Sequence, residues 1–455
     1  RSRRAQRGTP EVKTTPVVQP GMQGGRYRPL DTVQMEQIHQ AILEVLETIG
    51  MGDPTPSCIE CVTAAGGRLT DEGRLLFPRA LVEDVIASAR REVVLYGQDS
   101  RFDVELTGNK VHFGSAGQAV HVVDCDNLEY RDPTLQDLFD MARLVDTLDN
   151  IHIYQRPIVP RDIHDTRELD INTCYGSVAG TRKHVGTNFF SPETLNETVR
   201  MLDMIAGGEG KFRQRPFVSL SCCFSIPPMK FGEDACLVME AAVRAGMPVL
   251  LLSAGQAGAT CPASLAGTVV QELAETLAGL VYINLLQPGH PTILGPWPFV
   301  SDLRTGAMSG GSGEQAVVAA ACAQMTNFYN LPGGVAAGMT DSKLPDIQAG
   351  YEKGYTNVLA GQSGANMVYE AAGMHASLLG CCYESFVIDN DMLGAVQRSI
   401  RGIEVNADSL SVDVIRDVCT QGPGHYLGHG QTMNLMRSAY LYPEVGDRLS
   451  PDEWL

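Results

Sequence analysis

Short apolar runs alternate with amphipathic segments over most of the chain. From Asp132 onward, a β-rich run of five to eight residues is followed repeatedly by a turn and then by apolar residues at every third or fourth position. Eight such runs are predicted as strands, at residues 151–158, 183–189, 217–224, 249–253, 291–295, 334–339, 366–370 and 384–388. Helices are predicted between them, starting near Asp165, Pro192, Glu233, Ser264, Ser312, Pro345 and Met374, with a last one after Asp389. Eight βα units with buried parallel strands predict a closed (β/α)8 TIM barrel at residues 132–402.

The segments before the barrel have a different pattern. Residues 1–30 are rich in Arg, Gly and Pro without periodicity, and we expect an extended N-terminal arm. Two amphipathic helices follow, at 32–49 and 78–90, and then three short β segments at 93–96, 111–113 and 119–123. Residues 31–131 are therefore predicted to form an α+β cap.

The segment after the barrel is predicted as a C-terminal helical extension, at residues 403–455. It passes through a Gly-rich turn at 422–430 to a helix near 432–440. The sequence ends on Ser450-Pro451-Asp452-Glu453, which is typical of a helix N-cap and first turn. We therefore expect a short tail beyond Leu455.

The competing fold is an open doubly wound sheet, which usually carries a glycine-rich phosphate-binding turn after its first strand. No such turn follows the predicted strand at 151–158. The run 310–313 (GGSG) does precede a helix, but it lacks the Lys-Ser/Thr of a P-loop, and we interpret it as a helix start. The barrel is therefore favoured.

Composition and charge exclude several classes of protein. The chain has 35 basic and 53 acidic residues, and its net charge of -18 would repel a phosphate backbone, so no nucleic-acid partner is expected. No stretch approaches the roughly 20 unbroken apolar residues of a membrane span, and no signal sequence is recognisable, so we expect a cytoplasmic protein. The twelve cysteines lie mainly in apolar runs and are interpreted as reduced core thiols. An apolar, Gly-rich chain of this size is also expected to form a homo-oligomer.

Motifs for metal or nucleophilic chemistry are weak. His425 and His429 have the spacing of one helical turn, but glycines and a proline surround them. Cys58 and Cys61 form a lone CxxC without a second pair. The chain has neither a Gly-x-Ser-x-Gly elbow nor a nucleotide fingerprint. We therefore predict no metal ligands and no acid, base or nucleophile.

Candidate substrate-binding residues lie at the predicted strand ends, where barrel enzymes build their active sites. Trp297, between two prolines, could hold a quaternary ammonium by cation–π attraction worth about 0.5 to 2 kcal/mol, or it could pack a βα loop. Arg156 could clamp a carboxylate in bidentate fashion, or it could form a salt bridge to Asp162 or another loop acid. The full set is Gln155, Arg156, Asn188, Phe189, Gln256, Trp297, Phe299, Asp341 and Glu370.

Four of these candidates have further alternatives. Phe189 and Phe299 are also compatible with plain core packing. Asp341 and Glu370 follow strands and could contact a cation or cap the next helix. His184, early in its strand, is interpreted as a core histidine rather than as a site residue.

Several long blocks resemble one known family. Residues 258–268 (GATCPASLAGT) with 271–275 (QELAE), and residues 340–346 (TDSKLPD) with 348–352 (QAGYE), are similar to corresponding blocks of the trimethylamine methyltransferase family. Shorter matches occur at 131–134, 287–289, 442–443 and 447–448, so the resemblance covers nearly the whole chain. Founding members of the family carry pyrrolysine, whereas this chain has only the twenty standard residues. It therefore resembles the branch that includes glycine betaine:corrinoid methyltransferases.

The resemblance implies a methyl transfer from a quaternary amine to cob(I)alamin. The corrinoid would be carried by a separate corrinoid protein that docks over the barrel mouth, and no tightly bound cofactor is expected. A quaternary nitrogen leaves as a neutral amine, so neither a proton donor nor a metal is needed. In this interpretation the aromatic side chains orient the cation, and Arg156, Gln155 and Asn188 hold the carboxylate of a betaine. Two alternatives are a tertiary-amine or metal-assisted demethylase and a non-catalytic betaine-binding protein.

Overall fold

A computed structural model describes residues 16–454 of the chain. Its helices are α1 (Thr32–Thr48), α2 (Pro56–Ala64), α3 (Arg79–Ser88), α4 (Leu135–Asp146), α5 (Thr166–Gly180), α6 (Pro192–Ile205), α7 (Lys211–Gln214), α8 (Glu233–Ala245), α9 (Leu265–Leu286), α10 (Gly313–Phe328), α11 (Ile347–Ser363), α12 (Tyr383–Arg401), α13 (Val412–Thr420), α14 (Gly430–Leu435) and α15 (Pro451–Trp454). Its strands are β1 (Met22–Gln23), β2 (Arg68–Leu69), β3 (Leu75–Leu76), β4 (Val93–Leu95), β5 (Val104–Leu106), β6 (Lys110–Phe113), β7 (His121–Asp124), β8 (Glu129–Arg131), β9 (Tyr154–Gln155), β10 (Val185–Thr187), β11 (Val218–Cys222), β12 (Ser225–Ile226), β13 (Lys230–Phe231), β14 (Val249–Ser253), β15 (Gln256–Ala257), β16 (Thr292–Pro296), β17 (Phe299–Val300), β18 (Gly334–Ala336), β19 (Met367–Tyr369), β20 (Met374–His375) and β21 (Gly380–Cys381).

Eight parallel strands close into a barrel. One sheet has the order β9-β10-β11-β14-β16, and β18, β19 and β6 pair in a second sheet. Parallel bridges join Gly114 to Ile153 and Leu294 to Gly333, so that each sheet continues into the other at both edges. The predicted (β/α)8 TIM barrel is thereby confirmed, and its C-terminal strand ends form the mouth.

Seven of the eight predicted strands are confirmed, and the eighth is wrong. Residues 384–388 lie in helix α12, which also replaces the helix starts predicted at Met374 and after Asp389. The buried positions Phe386, Asn390, Leu393, Val396 and Ile400 recur every three or four residues, which is a helical period. A short apolar run at the start of such a helix resembles a buried strand when it is read alone.

The missing barrel strand is β6, which the sequence placed in the cap. It pairs with β19, and Gly114 continues it toward Ile153 in β9. Between β6 and its helix α4, the chain inserts the antiparallel pair β7–β8. Because this insertion separates strand β6 from helix α4, the sequence pattern assigned β6 to the preceding α+β segment. The barrel therefore begins before residue 132.

The described part of the predicted arm lies against the base of the barrel. Strand β1 pairs antiparallel with β6, and the backbone nitrogens of Arg26 and Tyr27 donate to the Gln362 carbonyl at the end of α11. A side chain at Gly24 would collide with the Gly361 carbonyl oxygen, so the contact needs a glycine. Residues 1–15 of the predicted arm lie outside the described residues.

Helix α9 is long and apolar enough to cross a membrane by length and composition. However, most of its residues are buried inside the protein. The helix packs against strands β14 and β16 and against α1 of the cap. The apolar surface of α9 is therefore accounted for by packing between the barrel strands and the cap.

Candidate functional site

The interior face of the barrel is identified by strand register and by one hydrogen bond across it. Gln155 pairs with Gly186, and Gly186 pairs with Ser219, so that these residues face the same side. Gln155 Nε2 donates to Ser221 Oγ, two strands away, at 3.2 Å. Gly186 leaves room for the Gln155 side chain, and the next side chain along β11, Cys222, points the other way, to the Ala235 carbonyl of the outer helix α8. Gln155, a predicted site residue, therefore faces the interior.

An aromatic pair occupies the same interior at its C-terminal end. Trp297 follows β16 and Tyr369 ends β19, and their ring centroids are 5.2 Å apart at an interplanar angle of 41°. Gly334 of β18 lies between the two strands, and a side chain there would collide with the Tyr369 ring. Trp297 Nε1 is buried and has no hydrogen-bond partner within residues 16–454. The indole is thus held by packing, with its polar edge free.

Glu370 follows Tyr369 directly, and its buried side chain has no positively charged partner within the described residues. Its side chain is 1% exposed, and Oε2 lacks a hydrogen-bond partner in the described part of the chain. Burial raises the pKa of Glu370 to about 8. Its φ of 61° is left-handed, a strained conformation for a residue with a side chain. A strained backbone and an unpaired buried carboxyl group with a raised pKa are together typical of a functional position.

The Glu370 carboxylate faces a recess in the barrel mouth. Cys223 follows β11 on the opposite side of the barrel and is accessible to solvent. Burial, followed by the Glu370 carboxylate, raises the pKa of the Cys223 thiol to about 11. A thiol that is both accessible and closely surrounded lies in a recess. We call this group of strand-end residues, which comprises Cys223, Trp297, Tyr369 and Glu370, the mouth recess.

Arg156 does not share this recess with Gln155. Alternation along β9 directs the two side chains to opposite faces of the strand. Arg156 is 2% exposed and donates to Gln118 Oε1 at 2.7 Å, and its nearest opposing charge is Asp170 on α5. The alternative salt bridge to Asp162 does not form, because Asp162 instead accepts from the Leu135 backbone nitrogen. Arg156, the predicted carboxylate ligand, therefore lies on the other side of the strand from Trp297 and Tyr369.

Burial lowers the pKa of Arg156 to about 10. Its Nε and one terminal nitrogen, together with Asp170 Oδ1, find no partner among residues 16–454. Arg156 is therefore a buried cation with spare donors, but these lie between strand and helix layer rather than in the mouth recess.

Asp341 holds loops of the mouth rather than a free cation. Its carboxylate accepts from Ser309 Oγ at 2.6 Å, from the Gly310 nitrogen at 2.7 Å and from Ser377 Oγ at 2.8 Å. The glycine-rich run 310–313 beside it leads into α10, which Ser312 caps by accepting from the Gln315 nitrogen. The interpretation of that run as a helix start is confirmed.

Gln256 and Phe299 are directly paired in the small sheet β15–β17 on the rim. Beside this sheet lies a pocket of about 410 Å³, lined among others by Ala257, Val300 and Leu303. Phe299 and Phe189 are each 6% exposed and belong to the hydrophobic core. Gln256 is half-buried, so it is the member of this group that solvent reaches.

Asn188 follows β10 and is half-buried, and its Oδ1 atom has no partner within the described residues. It lies two residues after Gly186, so its side chain points to the same face of the strand, which is the barrel interior. His184, two residues before Gly186, is fully buried and satisfied by the Tyr96 carbonyl at 2.9 Å and Ser219 Oγ at 2.8 Å. It is a core histidine, as predicted, and burial lowers its pKa to about 4.

The weak metal motifs do not assemble. Helix α14 begins only at Gly430, so His425 and His429 share no helical face, and His429 Nδ1 accepts from the Gln431 nitrogen at 3.1 Å. Cys58 and Cys61 lie in α2, where burial raises the pKa of both thiols. Glu370 caps no helix either, because α12 starts thirteen residues later, at Tyr383.

The fold is a (β/α)8 barrel, and enzymes with this fold build their active sites at the C-terminal strand ends. A family model described as trimethylamine methyltransferase matches residues 1–455. The chain belongs to the trimethylamine methyltransferase family.

Its relatives span most of its length. It is 32% identical over 423 residues to a trimethylamine methyltransferase of Desulfitobacterium hafniense, covering 93% of this chain and 84% of the relative. It is 31% identical over 432 residues to a glycine betaine methyltransferase of the same species, covering 94% and 88%. Among solved structures, the monomethylamine methyltransferase of Methanosarcina barkeri superposes with a TM-score of 0.54 at 15% identity, covering 86% of this chain and 79% of that one. That likeness concerns the fold alone.

Sequence reasoning missed Tyr369, Ser221 and Cys223 as residues of the interior. Tyr369 precedes the candidate Glu370, and Cys223 lies at the end of the predicted strand 217–224, so strand-end position was an available signal. Interior and exterior faces could not be assigned from the sequence, because the phase of alternation depends on register.

Proposed function

We propose that the protein transfers a methyl group from a quaternary amine, such as glycine betaine or a related betaine, to cob(I)alamin carried by a corrinoid protein. The proposal extends the family assignment to a substrate class and an acceptor. It is supported by relatives named for trimethylamine and for glycine betaine, and by the chemistry of the mouth recess.

The uncompensated Glu370 carboxylate beside the Trp297–Tyr369 pair is the observation that carries the proposal. A buried carboxylate without a cation is costly, and Glu370 is 1% exposed. A methylated ammonium group would supply the missing positive charge. An aromatic face adds about 0.5 to 2 kcal/mol of cation–π attraction, depending on desolvation. The recess therefore matches a cation without needing a hydrogen-bond donor from it.

The residues of the mouth recess would bind and orient the substrate. Glu370 would neutralise the ammonium, and Trp297 would fix the direction of one N-methyl group toward the opening of the barrel. The corrinoid supplies the Co(I) nucleophile that accepts this methyl group. The C–N electron pair stays on nitrogen, so the product leaves as a neutral amine. No proton transfer is required of the protein.

Recognition of the substrate's other end belongs to the proposal too. The side chains of Asn188 and Gln155 point into the barrel. Each carries an amide that could contact a carboxylate. Arg156 is left out of this contact set, because it faces α5. Gln256, Phe189 and Phe299 would shape the rim, and Asp341 would hold its loops.

The partners and the location follow from the same proposal. The corrinoid protein would dock over the mouth. All twelve cysteines of the chain are free thiols in the structure, which is typical of a reducing compartment such as the cytoplasm. We also propose that the protein is a homo-oligomer.

A tertiary-amine substrate is the second candidate, and the same carboxylate favours it. A tertiary ammonium has an N–H group, which Glu370 could accept as a charge-assisted hydrogen bond. Loss of a methyl group from that ammonium also leaves a neutral amine. Comparing a quaternary with a tertiary amine of similar size distinguishes the two candidates.

The test is calorimetric titration of wild type and Glu370→Gln with glycine betaine, choline and trimethylamine between pH 6 and pH 9. Cation binding requires ionised Glu370, so wild-type affinity should rise with pH and level off near pH 8. Glu370→Gln should bind at least about tenfold more weakly and lose this pH dependence. The exposed residue Glu60 provides the matched control, Glu60→Gln. Equal affinity of Glu370→Gln and wild type for every amine would refute the proposal.

A further inference from the structure

Two cysteines and a glutamate converge on the rim of the barrel, outside its interior. Cys125 lies in the turn between β7 and β8, Cys382 is the N-cap of α12, and Glu384 lies in the first turn of that helix. Cys125 Sγ is 3.4 Å from Cys382 Sγ, which is 3.1 Å from Glu384 Oε2. The three ligand atoms lie within 4.8 Å of one another. In the described part of the chain, no other group of three or more His, Cys, Asp or Glu residues meets this condition.

These spacings are close to the edges of a tetrahedral zinc site. With Zn–S bonds of about 2.3 Å and a Zn–O bond of about 2.0 Å, two sulfurs lie about 3.8 Å apart and a sulfur and an oxygen about 3.5 Å apart. A disulfide would instead need an S–S distance of about 2.05 Å. A small outward movement of the three side chains therefore makes room for an ion.

The cluster lacks a positive charge. None of its three residues forms a salt bridge with a lysine, arginine or histidine within residues 16–454. A divalent cation would supply the charge that converts both thiols to ligating thiolates.

Neighbouring groups already orient the cluster. Ser385 follows Glu384 in the first turn of α12, and its Oγ atom lies 2.6 Å from Nε2 of the fully buried His375. Contacts of this kind behind a ligand fix its direction in metal sites. Cys125 is half-buried and Glu384 is exposed, so the open side of the cluster faces solvent.

We propose that Cys125, Cys382 and Glu384 bind a zinc ion, with water in the fourth position. Binding releases the two thiol protons and forms two Zn–S bonds and one Zn–O bond. The ion would tie the β7–β8 insertion of the first βα unit to the start of α12 in the eighth. These units are neighbours in the closed barrel. The site therefore stabilises the rim and is separate from the mouth recess.

The first test is the zinc content of the full chain purified under reducing conditions without chelator. About one zinc per chain is expected for wild type and for Cys61→Ser, a control that alters a half-buried cysteine outside the cluster. Cys125→Ser and Cys382→Ser should each lose the zinc. Wild-type zinc content in Cys382→Ser, or no zinc in wild type, would overturn the proposal.

A second measurement does not depend on the folding of variants. Metal-depleted wild type titrated with Co²⁺ should develop thiolate-to-cobalt charge-transfer absorption at one equivalent, and Glu384→Gln should bind Co²⁺ more weakly. A titration without charge-transfer absorption would contradict thiolate ligation. Mass spectrometry showing a Cys125–Cys382 disulfide in the freshly isolated, unreduced protein would assign the pair to redox chemistry instead. Amine affinity should be unchanged by zinc removal, because the ion does not contact the mouth recess; a loss of amine affinity would contradict this separation.

Discussion

At the scale of single residues, the mouth recess contains groups that lower the stability of the ligand-free protein and are suited to binding a cation. Glu370 is buried without a partner, and its backbone is left-handed, so the folded protein holds it at a free-energy cost. Trp297 leaves its indole N–H unpaired in the same region. Such costs are common where a protein prepares a site for a charged ligand. Substitutions there should therefore affect stability and binding in opposite directions.

Glu370→Gln should stabilise the ligand-free protein. The folded-state pKa of about 8 lies above the ordinary value of 4.5. Between these values the native state retains a proton that the unfolded chain has released, so wild-type stability falls as pH rises through this window. The variant has no carboxyl group at this position and does not lose stability in this way. Its free energy of unfolding should therefore exceed that of wild type by an amount that grows from about pH 4.5 and levels off above pH 8. At about 1.4 kcal/mol per pKa unit, the gain is at most a few kcal/mol. Urea unfolding at pH 4.5, 6, 7 and 9 measures it, and a variant less stable than wild type at pH 9 would contradict the assignment.

Trp297→Leu should weaken binding of quaternary amines by about 2- to 30-fold, which corresponds to losing about 0.5 to 2 kcal/mol of cation–π attraction. Binding of a neutral isostere, such as 3,3-dimethylbutanol in place of choline, should change much less. Trp454→Leu is the matched control, because Trp454 is 67% exposed. Equal losses for the cation and its neutral isostere would assign Trp297 to packing alone.

At the scale of elements, two neighbouring helices are joined by a buried ion pair. Lys353 Nζ of α11 lies 2.6 Å from Asp389 Oδ2 of α12, and the two side chains are 2% and 5% exposed. Asp389 also accepts from the Gly373 nitrogen at 2.8 Å. The pair therefore positions α12 behind the segment that carries Glu370 and Cys382.

Asp389→Asn should destabilise the protein by about 3 to 5 kcal/mol, because it leaves the Lys353 ammonium buried and unpaired. Thermal unfolding provides the measurement. In the exposed pair between Arg416 and Asp413, Asp413→Asn should leave the midpoint nearly unchanged, since solvent screens such pairs. A similar, small shift of the unfolding midpoint in both variants would show that the buried pair contributes no more to stability than the exposed one.

The elements also show what the sequence could predict. Seven barrel strands followed from their β-rich runs, and residues 249–253 were predicted with the observed bounds. Helix α12 was misassigned at its start, because periodicity needs more than five residues to distinguish a helix from a buried strand. Strand β6 was misplaced because the β7–β8 insertion separates it from its helix. Glu370 and Trp297 were predictable from strand ends, whereas the separation of Arg156 from Gln155 depends on strand alternation in the closed barrel.

At the scale of the whole molecule, the chain divides into a closed barrel and a C-terminal extension that is barely buried. Within residues 403–454, Val418 is the buried hydrophobic side chain, at 3% exposure. Many apolar side chains there are exposed, among them Ile403, Val405, Leu427 and Trp454. Helices α13 to α15 lie in this extension. Apolar surface of this extent is typical of an interaction site.

Truncation after residue 402 should leave the barrel folded and convert an oligomer into a monomer. The extension meets the barrel through few bonds, such as those of Asp391 to the backbone of residues 444–446. Sedimentation should give a multiple of 49.1 kDa for the full chain and a monomer for the truncated one. An unfolded truncated chain, or a monomeric full chain, would contradict this account.

Methyl transfer itself tests the central claim most directly. Free cobalamin reduced to the Co(I) state is mixed with the enzyme and one amine at a time, and formation of methylated cobalamin is followed by absorbance. We expect methylation with one quaternary amine, at a rate that falls strongly in Glu370→Gln and stays unchanged in Glu60→Gln. If no quaternary or tertiary amine methylates cobalamin, even with a cognate corrinoid protein present, the proposed methyl transfer is contradicted.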